Sequence, residues 1–189
     1  DILQTAIKRW PVGYPIQAPL DALSNLMAKH KIAAKEVARI VITLDEQGAR
    51  TVSGRRMADI NIQHLTALML LDGDITFASS HDAKRVRDPA VLKLKQRIEL
   101  KGSAALGRAK TTQAIVEVTT RKGQTLRHHT TAVRGSATNP MTRKDVEGKA
   151  RGLLTPMLGK TGARRLINAI WSLEEMTDLR QLHSLLRPH

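Results

Sequence analysis

The hydrophobic and polar residues of this chain follow two different periods, and the change between them marks the first predicted elements. Apolar residues recur at the spacing of one helical face from Ile16 to His30, which predicts a helix there. Residues 37–44 (VARIVITL) alternate instead, with Ala38 expected on the same face as Ile40, which predicts a half-buried strand. Residues 45–56 are polar and contain glycine, so we expect a loop.

The clearest helical pattern covers residues 59–73 (DINIQHLTALMLLDG). Asp59 or Asn61 can cap the start of this helix, and Gly73 can end it. Residues 79–100 predict two short helices followed by a strand. Residues 113–133 predict two alternating strands joined at a Lys-Gly turn, which is the strongest hairpin signal in the chain.

The last part of the chain is predicted to be helical. Thr142 followed by Asp145 resembles a capping box that opens a helix ending at Gly159. A second helix is predicted over residues 162–176, and a last short one over residues 179–186. Together the elements predict an α+β fold, in which a small, mostly antiparallel sheet with helices precedes a helical carboxy-terminal tail.

Residues 7–23 (IKRWPVGYPIQAPLDAL) place two cations and two of the four aromatic residues of the chain ahead of the first helix. The prolines push their preceding residues out of helical geometry, so residues 5–15 are expected to be extended. In an extended chain, Lys8 and Trp10 project to one side and Arg9 to the other. The stretch is either a stiff entry to a helix or a carboxylate site in which Lys8 is held beside an aromatic surface.

Composition narrows the classes of partner and compartment. The formal net charge of +14 favours an anionic partner or substrate. The chain has no cysteine, which excludes disulfides and thiolate chemistry and fits the cytoplasm. No apolar run is long enough to span a bilayer, so we expect no membrane segment. The first residue is Asp1 and not Met, so we expect a fragment or a processed product.

Most candidate chemical motifs have a simpler interpretation. His128 and His129 are neighbours on a predicted strand, so they point to opposite faces and we expect no metal site. The basic run 84–101 has neither interleaved aromatic residues nor a nucleic-acid-binding signature, so a solvated helical face is preferred over nucleic-acid binding. No glycine-rich phosphate loop or nucleophile-elbow motif occurs, and the spacing suggests no Ser-His-Asp triad.

His64 lies in the first turn of the predicted 59–73 helix, where exposed backbone N–H groups attract anions. A histidine at this position can donate a proton or bind a carboxylate. The alternative is that His64 is simply a polar residue just after a helix cap.

An ordered series of segments resembles the carboxy-terminal part of the MmgE/PrpD (2-methylcitrate dehydratase) family. The series is IKRWP…PIQAPLDAL, an alternating strand, DINIQHLTALMLLDG, RVRDPAVLKLKQRIEL, a hairpin with its glycine, VRGSATNPMT, KARGLLTPMLG and IWSLEEMTDLRQLHSLL. The resemblance covers nearly the whole chain. It implies a smaller α+β lid domain over residues 1–140, and helices over residues 141–189 that complete a large helical domain whose amino-terminal part is missing here.

The resemblance also implies a function: cofactor-free lyase or isomerase chemistry on a small polycarboxylate, by dehydration, decarboxylation or epimerisation. Such reactions need an acid, a base and cations that hold the carboxylates. The family has a lid lysine in a Lys-x-aromatic-Pro context, and Lys8 matches it. The resemblance therefore implies that Lys8, Trp10 and Tyr14 bind substrate and that His64 is the candidate catalytic acid or base.

Two positions depart from the family pattern. Some relatives carry a histidine five residues after the lysine, where this chain has Gly13 beside Tyr14. Relatives often have a tyrosine nine residues before the glycine of the LLDG segment, where this chain has His64. The identity of the substrate is therefore left open.

The expected partners are a small polycarboxylate, an amino-terminal helical domain in the same or a partner chain, and a second copy in a homodimer or other homo-oligomer. No metal or other cofactor is expected, and the fragment alone is expected to be inactive. Two alternatives remain: a non-catalytic module that serves only to associate, and a basic domain that binds nucleic acid through residues 84–101.

Overall fold

The computed structural model describes residues 4–109 and 111–187 of the chain. These residues form two compact units, the first of which ends at Pro140 while the second begins at Met141. The first unit contains all the strands of the described chain, and the second is helical.

The first unit is built on a four-stranded mixed sheet with the strand order β2-β1-β3-β4. The central strand β1 pairs parallel with β2 and antiparallel with β3, and β3 pairs antiparallel with β4. Two of the three pairings are thus antiparallel, which confirms the predicted α+β class. The strand bounds are β1 Val37–Leu44, β2 Ile98–Gly102, β3 Ala114–Thr120 and β4 Thr125–Thr130.

Six helices belong to the described part of the first unit, and three short 3-10 turns connect them. The helices are α1 Tyr14–His30, α2 Glu46–Val52, α3 Ile62–Asp72, α4 Phe77–His81, α5 Pro89–Lys95 and α6 Ala104–Gly107. The 3-10 turns are Ala34–Glu36, Ala58–Ile60 and Arg85–Arg87.

The hydrophobic core lies where α1 and α3 pack against the sheet. The apolar residues of α1, such as Ile16 and Leu20, are completely buried, and so are Leu65 and Leu68 of α3. Burying a side chain of this size stabilises the fold by about 2 kcal/mol. Helix α1 contacts β3 and β4, and α3 contacts α1 and α5. The core therefore fixes the start of α1, where the predicted substrate-binding residues lie.

Three sequence expectations about local structure are wrong. Residues 46–52 form α2 because the Asp45 carboxylate accepts a hydrogen bond from the Gly48 N–H and caps the helix. A β-bulge between Val37 and Arg39 shifts the register of β1, so Val37 and not Ala38 is buried with Ile40. Residues 9–12 bend instead of remaining extended, and α1 begins two residues earlier than predicted.

The predicted hairpin and the predicted ends of α3 are confirmed. Gly123 has a φ of 82° in the turn between β3 and β4, a conformation that glycine adopts without steric cost. The Asn61 side chain accepts from the His64 N–H at the start of α3, and Gly73 ends the helix in the left-handed conformation.

The second unit consists of α7, Arg143–Trp171, and the 3-10 turns Leu173–Glu175 and Leu179–Leu185. The predicted capping box forms between Thr142 and Asp145. Gly159 has a non-helical backbone with a φ of 66°, so α7 is two helices joined at a kink where the sequence predicts a break. The second of them ends at Trp171 and not at residue 176.

Across residues 4–109 and 111–187, none of the helices combines the length and the apolar character needed to cross a bilayer.

Candidate functional site

Residues 7–13 form a tight loop whose backbone is hydrogen-bonded to the Gln17 side chain. The Trp10 N–H donates to Gln17 Oε1 at 3.2 Å, and Gln17 Nε2 donates to the Trp10 carbonyl at 3.0 Å and to the Val12 carbonyl at 3.4 Å. Gln17 has no exposed surface, so these bonds are made in the protein interior, where unpaired polar groups are costly. The loop conformation is therefore fixed by the first turn of α1.

Trp10 is a core residue of this loop. Its side chain is 2% exposed, and its indole N–H donates to Asp74 Oδ1 at 2.7 Å. The bond ties the loop to the segment that follows α3. The expectation that Trp10 presents an open aromatic surface to a substrate needs correction, since its ring is covered by the protein.

Lys8 and Arg9 exchange the positions predicted for them. The Arg9 guanidinium, and not the Lys8 ammonium, stacks over the Trp10 ring, with its central carbon 4.4 Å from the ring centroid. The Lys8 side chain is exposed and its Nζ donates to the Val12 carbonyl at 3.0 Å. The loop bends at residues 9–12, so the two-sided alternation of an extended chain does not apply.

Asp21 lies one turn after Gln17 on α1, and several basic residues lie around its carboxylate. Its Oδ1 is 3.5 Å from Arg9 Nη1, and its Oδ2 accepts from the Arg134 N–H at 3.3 Å. Burial raises the pKa of the Asp21 carboxyl, while the Arg134 N–H and the charges of Arg9, His128 and Arg134 oppose that rise. Asp21 thus joins residue 9 to the loop that follows β4.

Tyr14 lines an open pocket of about 210 Å³ beside this loop. Much of the lining carries hydroxyl groups, which can donate hydrogen bonds to an anion. The lining residues are Gln4, Tyr14, Thr111, Thr112, Ala132, Val133, Ser136, Ala137 and Thr138.

The pocket adjoins the segment that carries Lys8. The Ile7 N–H donates to the Gly135 carbonyl at 2.8 Å, so Lys8 directly follows a residue bonded to the pocket loop. Gly135 has a φ of 96°, which glycine tolerates, and it lies next to the lining residue Ser136. Of the four predicted site residues, only Tyr14 lines the pocket, and Lys8 is linked to it through the backbone bond of its neighbour Ile7.

His64 has very different surroundings. Its side chain is 1% exposed, and neither ring nitrogen has a hydrogen-bond partner among residues 4–109 and 111–187. Burial, with smaller contributions from the charges of Lys95 and Arg85, lowers the pKa of the imidazole from 6.5 to about 4. The ring is therefore neutral at pH 7. Its backbone N–H, expected to attract an anion, is already bonded to Asn61 Oδ1 at 2.9 Å.

Gly13 packs tightly against the residues that precede α3. A Cβ atom there would lie 3.1 Å from Ile60 Cγ2, which is tighter than ordinary van der Waals contact. The Gly13 N–H also donates to the Asp59 carbonyl at 3.0 Å. The loop thus packs closely on the entrance to α3, with little space for a larger side chain at residue 13.

Sequence reasoning missed Gln17, Asp21 and Arg134. The first two are polar residues four apart on the face of α1 that is otherwise apolar, and this spacing was available as a signal. Arg134 reaches Asp21 over a separation of 113 residues, which no local pattern predicts.

Ser80, His81 and Asp59 come close together without forming a nucleophilic site. His81 Nδ1 is 2.9 Å from Ser80 Oγ, and His81 Nε2 is 4.0 Å from the Asp59 carboxylate. The buried Ser80 hydroxyl lies 2.9 Å from the Thr76 carbonyl, and His81 Nδ1 is 3.0 Å from the Phe77 carbonyl. A backbone carbonyl can only accept, so the Ser80 hydroxyl and His81 Nδ1 are the donors in these two contacts. The histidine is therefore not placed as a base for the serine.

Part of the basic run and one of the paired histidines make structural contacts. Arg85 pairs with Asp72 and Asp88, and Arg97 Nη1 donates to the Val37 carbonyl at 2.7 Å. His129 Nε2 is 2.9 Å from Gln113 Oε1. Within the described ranges, no group of three His, Asp or Glu side chains is placed to hold a metal ion.

Comparison with known proteins gives two matches. The sequence model of the MmgE/PrpD C-terminal domain matches residues 10–175. The chain is also similar to human cis-aconitate decarboxylase, with 26% identity over 199 aligned positions that cover 99% of this chain and 40% of the relative. The chain thus spans less than half the length of this curated relative.

Proposed function

The chain belongs to the MmgE/PrpD family, and from that premise we propose that it is the lid portion of a cofactor-free lyase or isomerase acting on a small polycarboxylate. The relative is a decarboxylase of cis-aconitate by name, so decarboxylation is one of the three reactions considered, with dehydration and epimerisation. The observation that supports this most is the fixed basic loop at Lys8, which adjoins a pocket lined with hydroxyl groups.

In this proposal Lys8 binds one substrate carboxylate. Its ammonium is exposed but restrained by the Val12 carbonyl, so little conformational freedom is lost when an anion binds. The Tyr14 hydroxyl supplies a donor from the pocket, and Trp10 acts indirectly by holding the loop. A fixed cation also stabilises the enolate-like charge that develops when a proton leaves the carbon next to a carboxylate.

His64 as the catalytic acid or base stays a prediction, and the geometry gives it little support. Its ring is 1% exposed, so a substrate can reach it only if the surrounding core opens. A neutral imidazole with a pKa of about 4 is also a poor proton donor at pH 7. We therefore assign most of the proton transfer to groups outside this chain.

The proposed partner is an amino-terminal helical domain, in the same chain or another one, with assembly into a homo-oligomer. The second unit exposes large apolar side chains, which commonly mark an interaction surface. They include Leu153, Met157, Ile170, Trp171, Leu173, Leu179 and Leu186.

Two measurements test the enzyme proposal. In an NMR titration of the 189-residue chain with cis-aconitate, we expect chemical-shift changes around residues 7–14, and we expect Lys8→Gln to abolish them. Lys122→Gln, at the exposed hairpin turn, is the matched control and should leave the changes intact. Unchanged titration of Lys8→Gln would contradict the anchor role, and efficient turnover of cis-aconitate or 2-methylcitrate by this chain alone would contradict its lid role.

The exposed apolar side chains of the second unit favour a second candidate function, a module that only associates. Light scattering should then show dimers or larger species, and Met157→Glu, at a residue that is 63% exposed, should reduce them. A monomer at high protein concentration would contradict this candidate.

A further inference from the structure

Arg9 is held on two sides while much of its side chain remains at the surface. The Trp10 ring lies 4.4 Å below its guanidinium carbon, and Asp21 Oδ1 lies 3.5 Å from Nη1. The Arg9 side chain is nevertheless 39% exposed. Because two neighbours already restrict its rotamers, binding to an anion costs this side chain less entropy than a mobile surface arginine would lose.

Asp21 cannot satisfy the whole Arg9 guanidinium. A guanidinium has five N–H donors in a fixed planar fork, and one carboxylate accepts from two of them at most. Asp21 Oδ2 also accepts from the backbone N–H of Arg134, so only part of this carboxylate faces Arg9. Donors and positive charge therefore remain on Arg9 for a second anion.

Arg9 and Lys8 form a pair of cationic anchors on one rigid loop. The Lys8 ammonium donates to the Val12 carbonyl, which also accepts from Gln17 Nε2. The Arg9 guanidinium forms an ion pair with Asp21. Gln17 and Asp21 are one turn apart on α1, so the same end of one helix supports both residues. Two cations so placed suit a molecule with more than one carboxylate.

We propose that Arg9 is a second carboxylate-binding residue, which makes this loop selective for di- and tricarboxylates over monocarboxylates. The inference rests on the proposed function, in which Lys8 binds the first carboxylate. The arginine fork matches the planar carboxylate, whereas the lysine acts as a point charge. The competing explanation is structural: Arg9 only pins the loop to α1 through Asp21.

The test is calorimetric titration of the 189-residue chain with tricarballylate, an unreactive tricarboxylate, and with acetate at low ionic strength. Losing one charge-assisted hydrogen bond should weaken binding about tenfold, so Arg9→Gln should bind tricarballylate about tenfold more weakly. Acetate affinity should change less than twofold. Arg39→Gln is the matched control, since Arg39 is an exposed arginine on β1 that pairs with Glu99.

A conservative variant keeps the test valid if Arg9→Gln fails to fold. Arg9→Lys retains the charge without the fork, so its tricarballylate affinity should fall about threefold, between wild type and Arg9→Gln. A structural role predicts a lower melting temperature for either variant with an unchanged ratio of tricarballylate to acetate affinity, and that result would overturn the inference.

The outcomes also separate the inference from the proposed function. If Lys8→Gln weakens tricarballylate binding while Arg9→Gln behaves like Arg39→Gln, then Arg9 is not an anchor and the proposed function stands. If neither Lys8→Gln nor Arg9→Gln differs from Arg39→Gln, the loop does not bind carboxylates and both fail.

Discussion

The loop at residues 7–13 and the first turn of α3 each carry basic side chains near the start of a helix. They differ in which polar groups are buried and in whether the buried groups have hydrogen-bond partners. In the loop, the buried Gln17 satisfies backbone groups of Trp10 and Val12, and the cations stay at the surface. In α3, the His64 ring is buried with neither nitrogen paired in the described chain.

This difference teaches that a basic residue near a helix start is available to an anion only if it can reach solvent. Lys8 and Arg9 lie where an anion can approach them, since burial is limited to the residues that support them. His64 loses its charge because the interior cannot solvate an imidazolium. A basic residue just before α1 is therefore an exposed cation, whereas a basic residue in the first turn of α3 is a neutral core residue.

The largest effect is expected from removing the support of the loop. Gln17→Ala leaves the Trp10 N–H without its partner, removes one of two donors from each of the Trp10 and Val12 carbonyls and creates a small cavity, which should lower the free energy of unfolding by about 4 kcal/mol. Urea denaturation measures this value. Asn25→Ala on the same helix, where the side chain only bonds to the Asp21 carbonyl, is the control and should cost about 1 kcal/mol. Equal losses would mean that Gln17 does not hold the loop.

The next effect concerns pH and the buried His64. The pKa of His64 is about 4 in the folded chain and 6.5 in the unfolded chain. As pH falls, the unfolded chain therefore binds a proton first. The free energy of unfolding should therefore be constant above pH 7 and should fall by roughly 3 kcal/mol between pH 6.5 and 4.

The variant His64→Leu isolates this pH dependence. It removes the titrating ring and the two unpaired nitrogens, so it should be about 1 kcal/mol more stable than wild type at pH 7 and should lack the loss on acidification. The raised pKa of Asp21 acts in the other direction, because the folded chain binds that proton first and gains stability as pH falls. This contribution is common to both proteins and cancels in their difference. A wild-type curve parallel to that of His64→Leu would show that His64 is solvated.

The hydrophobic periodicity predicted the elements that close the core, because burial of one face imposes a period on the sequence. The strand over residues 37–44, the hairpin turn at Gly123 and the ends of α3 follow directly from such patterns. The bulge at Val37 and the helix α2 do not, since each depends on a single local hydrogen bond or register shift.

The site was only partly predictable from sequence. The position of Lys8 follows from the sequence segment, but the stacking of Arg9 on Trp10 depends on a bend that Gln17 imposes from the next helix. Burial of His64 depends on the elements that pack against α3, which lie both before and after it in the chain. Local spacing identifies residue types near a site, and tertiary packing decides which of them reach the surface.

The smallest effect on stability is expected from Lys8→Gln, and it completes the contrast with Gln17→Ala. Lys8 is exposed, and the Val12 carbonyl that it contacts also accepts from Gln17 Nε2, so the free energy of unfolding should change by less than about 0.5 kcal/mol. Urea denaturation beside Lys122→Gln checks this. A loss comparable to that of Gln17→Ala would show that the ammonium holds the loop together. A stable Lys8→Gln would mean that the cation and its support are separable, so any loss of cis-aconitate binding in that variant would report on the missing charge and not on a disordered loop.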